Sequence, residues 1–242
     1  MIFIYNILFY FLFFLFSFFY IPAGSIYVAL VRIMCSHRAA MKCFRRAISL
    51  YGYVIVFILP RFFIKVRPRG FDNSIGPCVY VANHRSASDA FLMAAVPGEI
   101  VQVVNKWPFR LPVLGIYAKW AGYLSVREMP YEQFKDECLH LLSRGCSIVA
   151  FPEGTRSGDL SMGQFHGAVI RAAQEAKASI VPICIMGNED KPERGNIVLN
   201  PGEIHIHCLD AFTWDKYKAM NPFKLKNHIR SKMIEYIKEN ES

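Results

Sequence analysis

No position in the first 31 residues is charged, and residues 2–21 are an almost unbroken run of Phe, Leu, Ile and Tyr, interrupted only by Asn6 and Ser17. About 20 such residues in a helix can cross a hydrocarbon core, so the pattern predicts a membrane helix. Ala23-Gly24-Ser25 would suit a signal peptidase, but no Lys or Arg precedes the run and it exceeds an ordinary signal-peptide core, so the segment is expected to be retained. A second apolar stretch, 48–60, lies between Arg46 and Arg61. At about 1.5 Å per residue it reaches only about 20 Å and does not span. Its length fits either an interfacial or re-entrant helix, completing a two-helix membrane segment, or a helix buried in a core.

After Arg61 the pattern changes to short apolar runs, at 62–66, 78–81, 100–104, 123–126, 147–151, 180–185, 197–199 and 204–208, which read as strands. Helical patterns fall at 90–95, 113–121, 131–142, 167–175 and 224–240. Strands alternating with helices predict an α/β fold, a mixed sheet flanked by helices. The expected division is 1–61 as N-terminal membrane anchor and interfacial helix, and 62–242 as the catalytic domain. In such sheets ligands collect beyond the ends of strands.

Charge sharpens this division. The chain has 242 residues, 53% of them hydrophobic, with 28 basic and 19 acidic side chains. A hydrophobic share that high excludes a disordered chain. Residues 1–71 hold nine Lys and Arg and no Asp or Glu, so the whole excess of +9 sits beside the most apolar segment and the remainder is balanced. Nucleic-acid binding would place the excess on the folded domain. A basic, apolar start instead suits an anionic membrane surface. Basic residues follow the first helix, so the positive-inside rule predicts the inner (cytoplasmic) membrane with the domain facing the cytoplasm. Seven cysteines form an odd set without a CxxC pair and read as small buried hydrophobes.

Two strand ends carry candidate chemistry. The first reads Tyr80-Val81-Ala82-Asn83-His84-Arg85-Ser86-Ala87-Ser88-Asp89. If the turn folds back, Asp89 accepts the imidazole Nδ1–H and leaves Nε2 as a general base. A helix cap at Ser88 or Asp89 would account for the same residues without catalysis. The second reads Ile148-Val149-Ala150-Phe151-Pro152-Glu153-Gly154-Thr155-Arg156-Ser157. Here Gly154 permits close backbone approach and Arg156 offers a fork suited to phosphate, while a polar surface turn is the plainer alternative.

Together the two segments resemble the lysophospholipid acyltransferases, in particular the bacterial 1-acyl-sn-glycerol-3-phosphate acyltransferases. The His-x4-Asp signature is intact at His84 and Asp89, and the Phe-Pro-Glu-Gly-Thr-Arg-Ser block at residues 151–157. A third block resembles the stretch from Asn105-Lys106 to Arg127, with a less typical Trp107-Pro108-Phe109-Arg110, and a fourth Ile180-Val181-Pro182-Ile183. The likeness spans about residues 62–210. It implies a glycerolipid acyltransferase-like fold and transfer of an acyl group from acyl-CoA or acyl-carrier protein to a lysolipid hydroxyl, giving phosphatidic acid when the acceptor is 1-acyl-sn-glycerol-3-phosphate. Implied roles are His84 as base and Asp89 as its orienting partner. Lys106, Arg127, Glu153, Gly154, Thr155 and Arg156 would bind the acceptor and its phosphate. Asn83, Ser86, Pro152, Ser157 and Pro182 would shape the motifs.

The chain has no Gly-x-Ser-x-Gly elbow and no Cys in either motif, so direct attack without an acyl-enzyme is expected. The helix start near Asp89 is the expected source of oxyanion donors, and Arg85 is expected to face solvent rather than touch phosphate. His205 and His207 share a strand face but lack a third ligand, so no metal site is expected. No tightly bound cofactor is needed. Membrane phospholipid, lysolipid and acyl donor are the expected partners, without nucleic acid, and oligomeric state is not legible. Two alternatives stay open: an O-acyltransferase for another lysolipid such as a lyso-aminolipid, and a non-catalytic lipid-binding membrane protein.

Overall fold

The apolar start carries a single proline, Pro22, before the first charge, and the helix continues through it. In the computed structural model, which describes residues 1–104, 114–156, 161–193 and 195–241, this start forms one helix, α1 (Ile2–Met34). It is long and apolar enough to cross a membrane. Two stripes run along it at helical spacing. Ile4, Ile7, Phe11, Phe14 and Phe18 are exposed, whereas Asn6, Phe9, Phe13, Phe16 and Tyr20 face protein. The inner stripe is tied by polar groups as well as packing. Asn6 clamps the backbone of Leu199, donating Nδ2 to its carbonyl at 2.9 Å and accepting its amide at Oδ1 at 2.8 Å. Further along, Tyr10 donates to the Ile197 carbonyl, Ser17 pairs with Tyr51, and Tyr20 donates to the Ala47 carbonyl. Removing the Asn6 amide would leave two buried backbone groups unpaired, at about 1–3 kcal/mol each.

The Ser36 hydroxyl accepts the Ala39 amide and so caps α2 (His37–Tyr53), which runs directly into a π-helical turn at Val54–Ile58. Ile55 and Val56 there are buried. The second apolar stretch therefore sits at least partly in the core, the less exotic of its two sequence readings.

The remaining elements are β1 (Ile64–Arg69), β2 (Val79–Ala82), α3 (Asp89–Leu92), β3 (Ile100–Val103), α4 (Leu114–Trp120), α5 (Tyr131–Ser143), β4 (Ser147–Ala150), α6 (Ala168–Glu175), β5 (Ile180–Met186), β6 (Gly202–Cys208), α7 (Trp214–Tyr217) and α8 (Pro222–Asn240). The strands form one sheet in the order β1-β6-β5-β2-β4-β3, parallel except between β5 and β6. This is the mixed sheet flanked by helices that the sequence predicts. Residues 123–126, expected as a strand, contribute only a bridge from Leu124 to Val103, and no strand forms at 197–199, whose Leu199 is instead held by Asn6. β1 extends past its expected end through Arg67, Pro68 and Arg69, because at a sheet edge a Pro costs no ladder bond.

The central strands are apolar throughout because both faces are covered. Val79 and Val81 of β2 face the layer that holds Phe134 of α5, Ile170 of α6 and Ile229 of α8. Tyr80 and Ala82 face the opposite layer, with Phe9, Ile55, Val56 and Leu92. The N-terminal helices are thus part of a core layer. Five of the seven cysteines are buried, as expected for small hydrophobes. Because β2 and β4 are direct parallel neighbours, with Val81 beside Ala150, the two motif loops leave the sheet side by side.

Candidate active site

Beyond β2 the chain reverses so that Asp89, at the start of α3, points back at His84. The Asp89 carboxylate is fully buried and its Oδ2 lies 2.7 Å from His84 Nδ1. The same oxygen accepts the Arg85 amide at 2.7 Å and the Ser86 amide at 3.0 Å, and Oδ1 accepts Asn188 Nδ2. Four donors on one buried carboxylate fix its position. The His84 side chain is 23% exposed and its ring lies against Phe151, centroids 4.7 Å apart. Asn83 shapes the turn by bridging to β5, donating to the Ile185 carbonyl and accepting the Ile185 amide. Ser86 donates its hydroxyl to the Pro192 carbonyl.

The second loop is tied to the first through Glu153. Its Oε1 accepts the His84 amide at 2.8 Å and its Oε2 the Gly163 amide at 2.7 Å. Glu153, expected among the acceptor-binding residues, instead commits both oxygens to the chain and brackets the two loops together. Burial pushes its pKa up, against the lowering effect of the two amides. Gly154 follows in the left-handed region at φ 71°, and a Cβ there would lie 3.1 Å from the His166 ring. Only glycine meets both conditions. His166 itself donates its amide to the Pro152 carbonyl.

Raised by burial, Glu153 carries its charge at a cost to stability that is absent below its ordinary value of 4.5 and grows as pH climbs through its folded value. Glu153→Gln does not titrate, and its NH2 opposes an amide donor. The variant should therefore melt lower than the wild type, by a gap that narrows as pH rises above 4.5. Thermal melts across pH 4 to 7 check this, and a gap that widens with pH would overturn it.

Of the other expected residues, Arg156 is half-buried and Thr155 exposed, and Arg156 has no hydrogen bond or ion pair among the described residues. Pro152 is buried, and Pro182 lies within β5 beside Val81. Arg127 is exposed on the turn after Leu124, with no hydrogen bond or ion pair to the two motif loops among the described residues. Lys106 and Ser157 lie outside the described residues. Arg85, expected in solvent, is 2% exposed, with its guanidinium against Glu241 and Glu189. Of the backbone amides expected as oxyanion donors at this helix start, those of Arg85, Ser86, Ser88 and Asp89 are engaged within the turn. Asn188, Gly163 and Glu241 went unnoticed because they belong to no motif. Behind the turn lies an apolar cavity of about 240 Å³, lined among others by Tyr20, Phe44, Ile48, Ala87 and Phe91.

A family model described as Acyltransferase matches residues 65–186, from β1 to the end of β5. The chain belongs to the Acyltransferase family. Among the relatives of this chain is the chloroplastic 1-acyl-sn-glycerol-3-phosphate acyltransferase BAT2 of Brassica napus, 31% identical over 60% of this chain and 44% of that one. The 1-acyl-sn-glycerol-3-phosphate acyltransferase of Escherichia coli K12 is 26% identical over 79% of this chain and 80% of its own. The chain spans about half the length of the plant relatives it matches. The crystal structure of the 1-acyl-sn-glycerophosphate acyltransferase of Thermotoga maritima superposes with a TM-score of 0.80 at 19% identity, covering 100% of this chain and 98% of that one. This chain shares that fold.

Proposed function

We propose that the protein transfers an acyl group from acyl-CoA or acyl-carrier protein to the free hydroxyl of 1-acyl-sn-glycerol-3-phosphate, giving phosphatidic acid. The observation that carries the reading is the 2.7 Å contact between His84 Nδ1 and the buried Asp89 carboxylate. With Nδ1 held, His84 Nε2 takes the hydroxyl proton as the oxygen attacks the thioester carbon. The tetrahedral intermediate collapses, the C–S bond breaks, and the imidazolium returns the proton to the leaving thiolate. The buried Asp89 stabilises the imidazolium between these two steps. The chemistry needs no tightly bound cofactor. The apolar cavity reaching Ala87 supports an acyl substrate, since it adjoins the catalytic turn.

Arg156, half-buried and without a partner among the described residues, is proposed to bind the acceptor phosphate, with Lys106. Residues 1–61 form the membrane seat and 62–242 the acyltransferase part. One stripe of α1 is bound to protein, and the rest of its surface, with Phe3, Ile4, Phe11, Phe14, Phe18, Phe19 and Ile26 exposed, is left for lipid. Arg32, Arg38, Lys42 and Arg46 follow it, which favours the inner membrane with the body on the cytoplasmic side.

The test offers labelled acyl-CoA and acyl-carrier protein with 1-acyl-sn-glycerol-3-phosphate, other lysophospholipids and lyso-ornithine lipid side by side. Product is expected from the lysophosphatidic acid. Arg156→Glu should raise its KM about 10- to 100-fold, the worth of a charge-assisted hydrogen bond. Preference for an acceptor without phosphate would move the substrate, and no product from either donor would sink the enzymatic reading.

A further inference from the structure

The family match ends at residue 186, yet groups that hold its two motif loops lie further along the chain. α8 buries Leu225, Ile229, Met233 and Ile237, one side chain per turn, in the layer that also holds Ile170 and Cys184. A helix anchored by four successive turns is a fixed rod against the sheet. At one point on it Arg230 Nε donates to the Gly163 carbonyl at 2.7 Å, and Nη2 to the Met162 carbonyl. Gly163 in turn donates to Glu153, whose other oxygen takes the His84 amide. Eleven residues on, the C-cap Glu241 forms a forked ion pair with Arg85, whose own amide donates to Asp89. Three turns of helix, about 16 Å, separate the two grips.

We propose that α8 is a positioning element of the active site, in which Arg230 and Glu241 hold the two motif loops at a fixed separation so that His84, Asp89 and Glu153 meet. Neither residue touches the reacting atoms. Arg230 acts through Gly163 and Glu153, and Glu241 through Arg85. The Arg85 guanidinium is 97% buried and faced by Glu241 and Glu189, with the Asp89 carboxylate also bearing on it. Without Glu241 it would lose its forked ion pair and pull on the turn that carries Asp89. A helix that merely completed the core would need its buried face alone, not two polar side chains reaching opposite loops.

The proposal rests on the reading of His84 as the base, and its test is chosen to separate the two. Glu241→Gln and Arg230→Gln, in the full chain in detergent, are each expected to lower kcat about tenfold with the lysolipid KM within twofold. Arg230→Lys should restore more than half of the wild-type kcat. Hydrogen exchange should quicken at 83–89 in Glu241→Gln and at 161–166 in Arg230→Gln, while β4 and β5 stay protected. Wild-type kcat in both Gln variants, or exchange rising evenly across the sheet, would overturn the proposal. If the wild type transfers no acyl group the catalytic reading fails, and the pattern of exchange still decides whether α8 holds the loops.

Discussion

His84→Ala is expected to cut kcat by about 10²- to 10⁴-fold, the usual worth of a positioned base. That corresponds to about 2.7–5.4 kcal/mol of barrier. The KM for lysolipid should stay within twofold, because the phosphate is held elsewhere. The fold should hold as well. Asp89 keeps the Arg85, Ser86 and Asn188 donors, and the lost contact with Phe151 costs about 1 kcal/mol. Initial rates and a thermal melt on the same preparation check this. A variant with kcat within threefold of wild type would remove His84 from the mechanism.

Asp89→Ala should combine an equal loss of rate with a loss of stability, which separates it from His84→Ala. Removing the carboxylate strands the Arg85 and Ser86 amides and the Asn188 side chain, all buried. Each unpaired donor costs about 1–3 kcal/mol, so the variant stands several kcal/mol below the wild type. Asp89→Asn keeps the shape and one carbonyl oxygen, and should recover much of the stability. It should recover little of the rate, since a neutral amide does not stabilise the imidazolium. Melting curves and kcat for the three proteins together test the assignment. An Asp89→Ala variant as stable as His84→Ala would mean that the donors find other acceptors.

Both motif loops were legible because each is a local event: an apolar strand, then a turn whose residue types are constrained by chemistry. The pairing of β2 with β4 could not be read from local pattern, yet it is what brings His84 to Glu153. Glu153 shows the limit of reading roles from residue type. A carboxylate in a motif expected to bind phosphate suggests substrate binding, but here both oxygens accept backbone amides, one of them 69 residues away in sequence. Arg85 misled for a similar reason, since a charged side chain is placed in solvent unless its partners are known, and Glu241 is 156 residues away. The strand expected at 197–199 failed because three apolar residues carry too little pattern to exclude a loop, and Asn6 supplies the backbone partner a neighbouring strand would have given.

The Asn6 clamp on Leu199 also sets an order of assembly. Its two halves lie 193 residues apart, and at translation speeds of about 5–20 residues per second the second half follows the first by roughly 10–40 s. Through that interval the C-terminal half of the inner stripe can already meet Ala47 and Tyr51, but the Asn6 amide lacks its Leu199 partner. A nascent segment in that condition is held most stably at a bilayer surface, where water and lipid headgroups are at hand. The strand-rich body then closes onto a helix already formed, and on the proposed membrane seat that order would put attachment before the completion of folding.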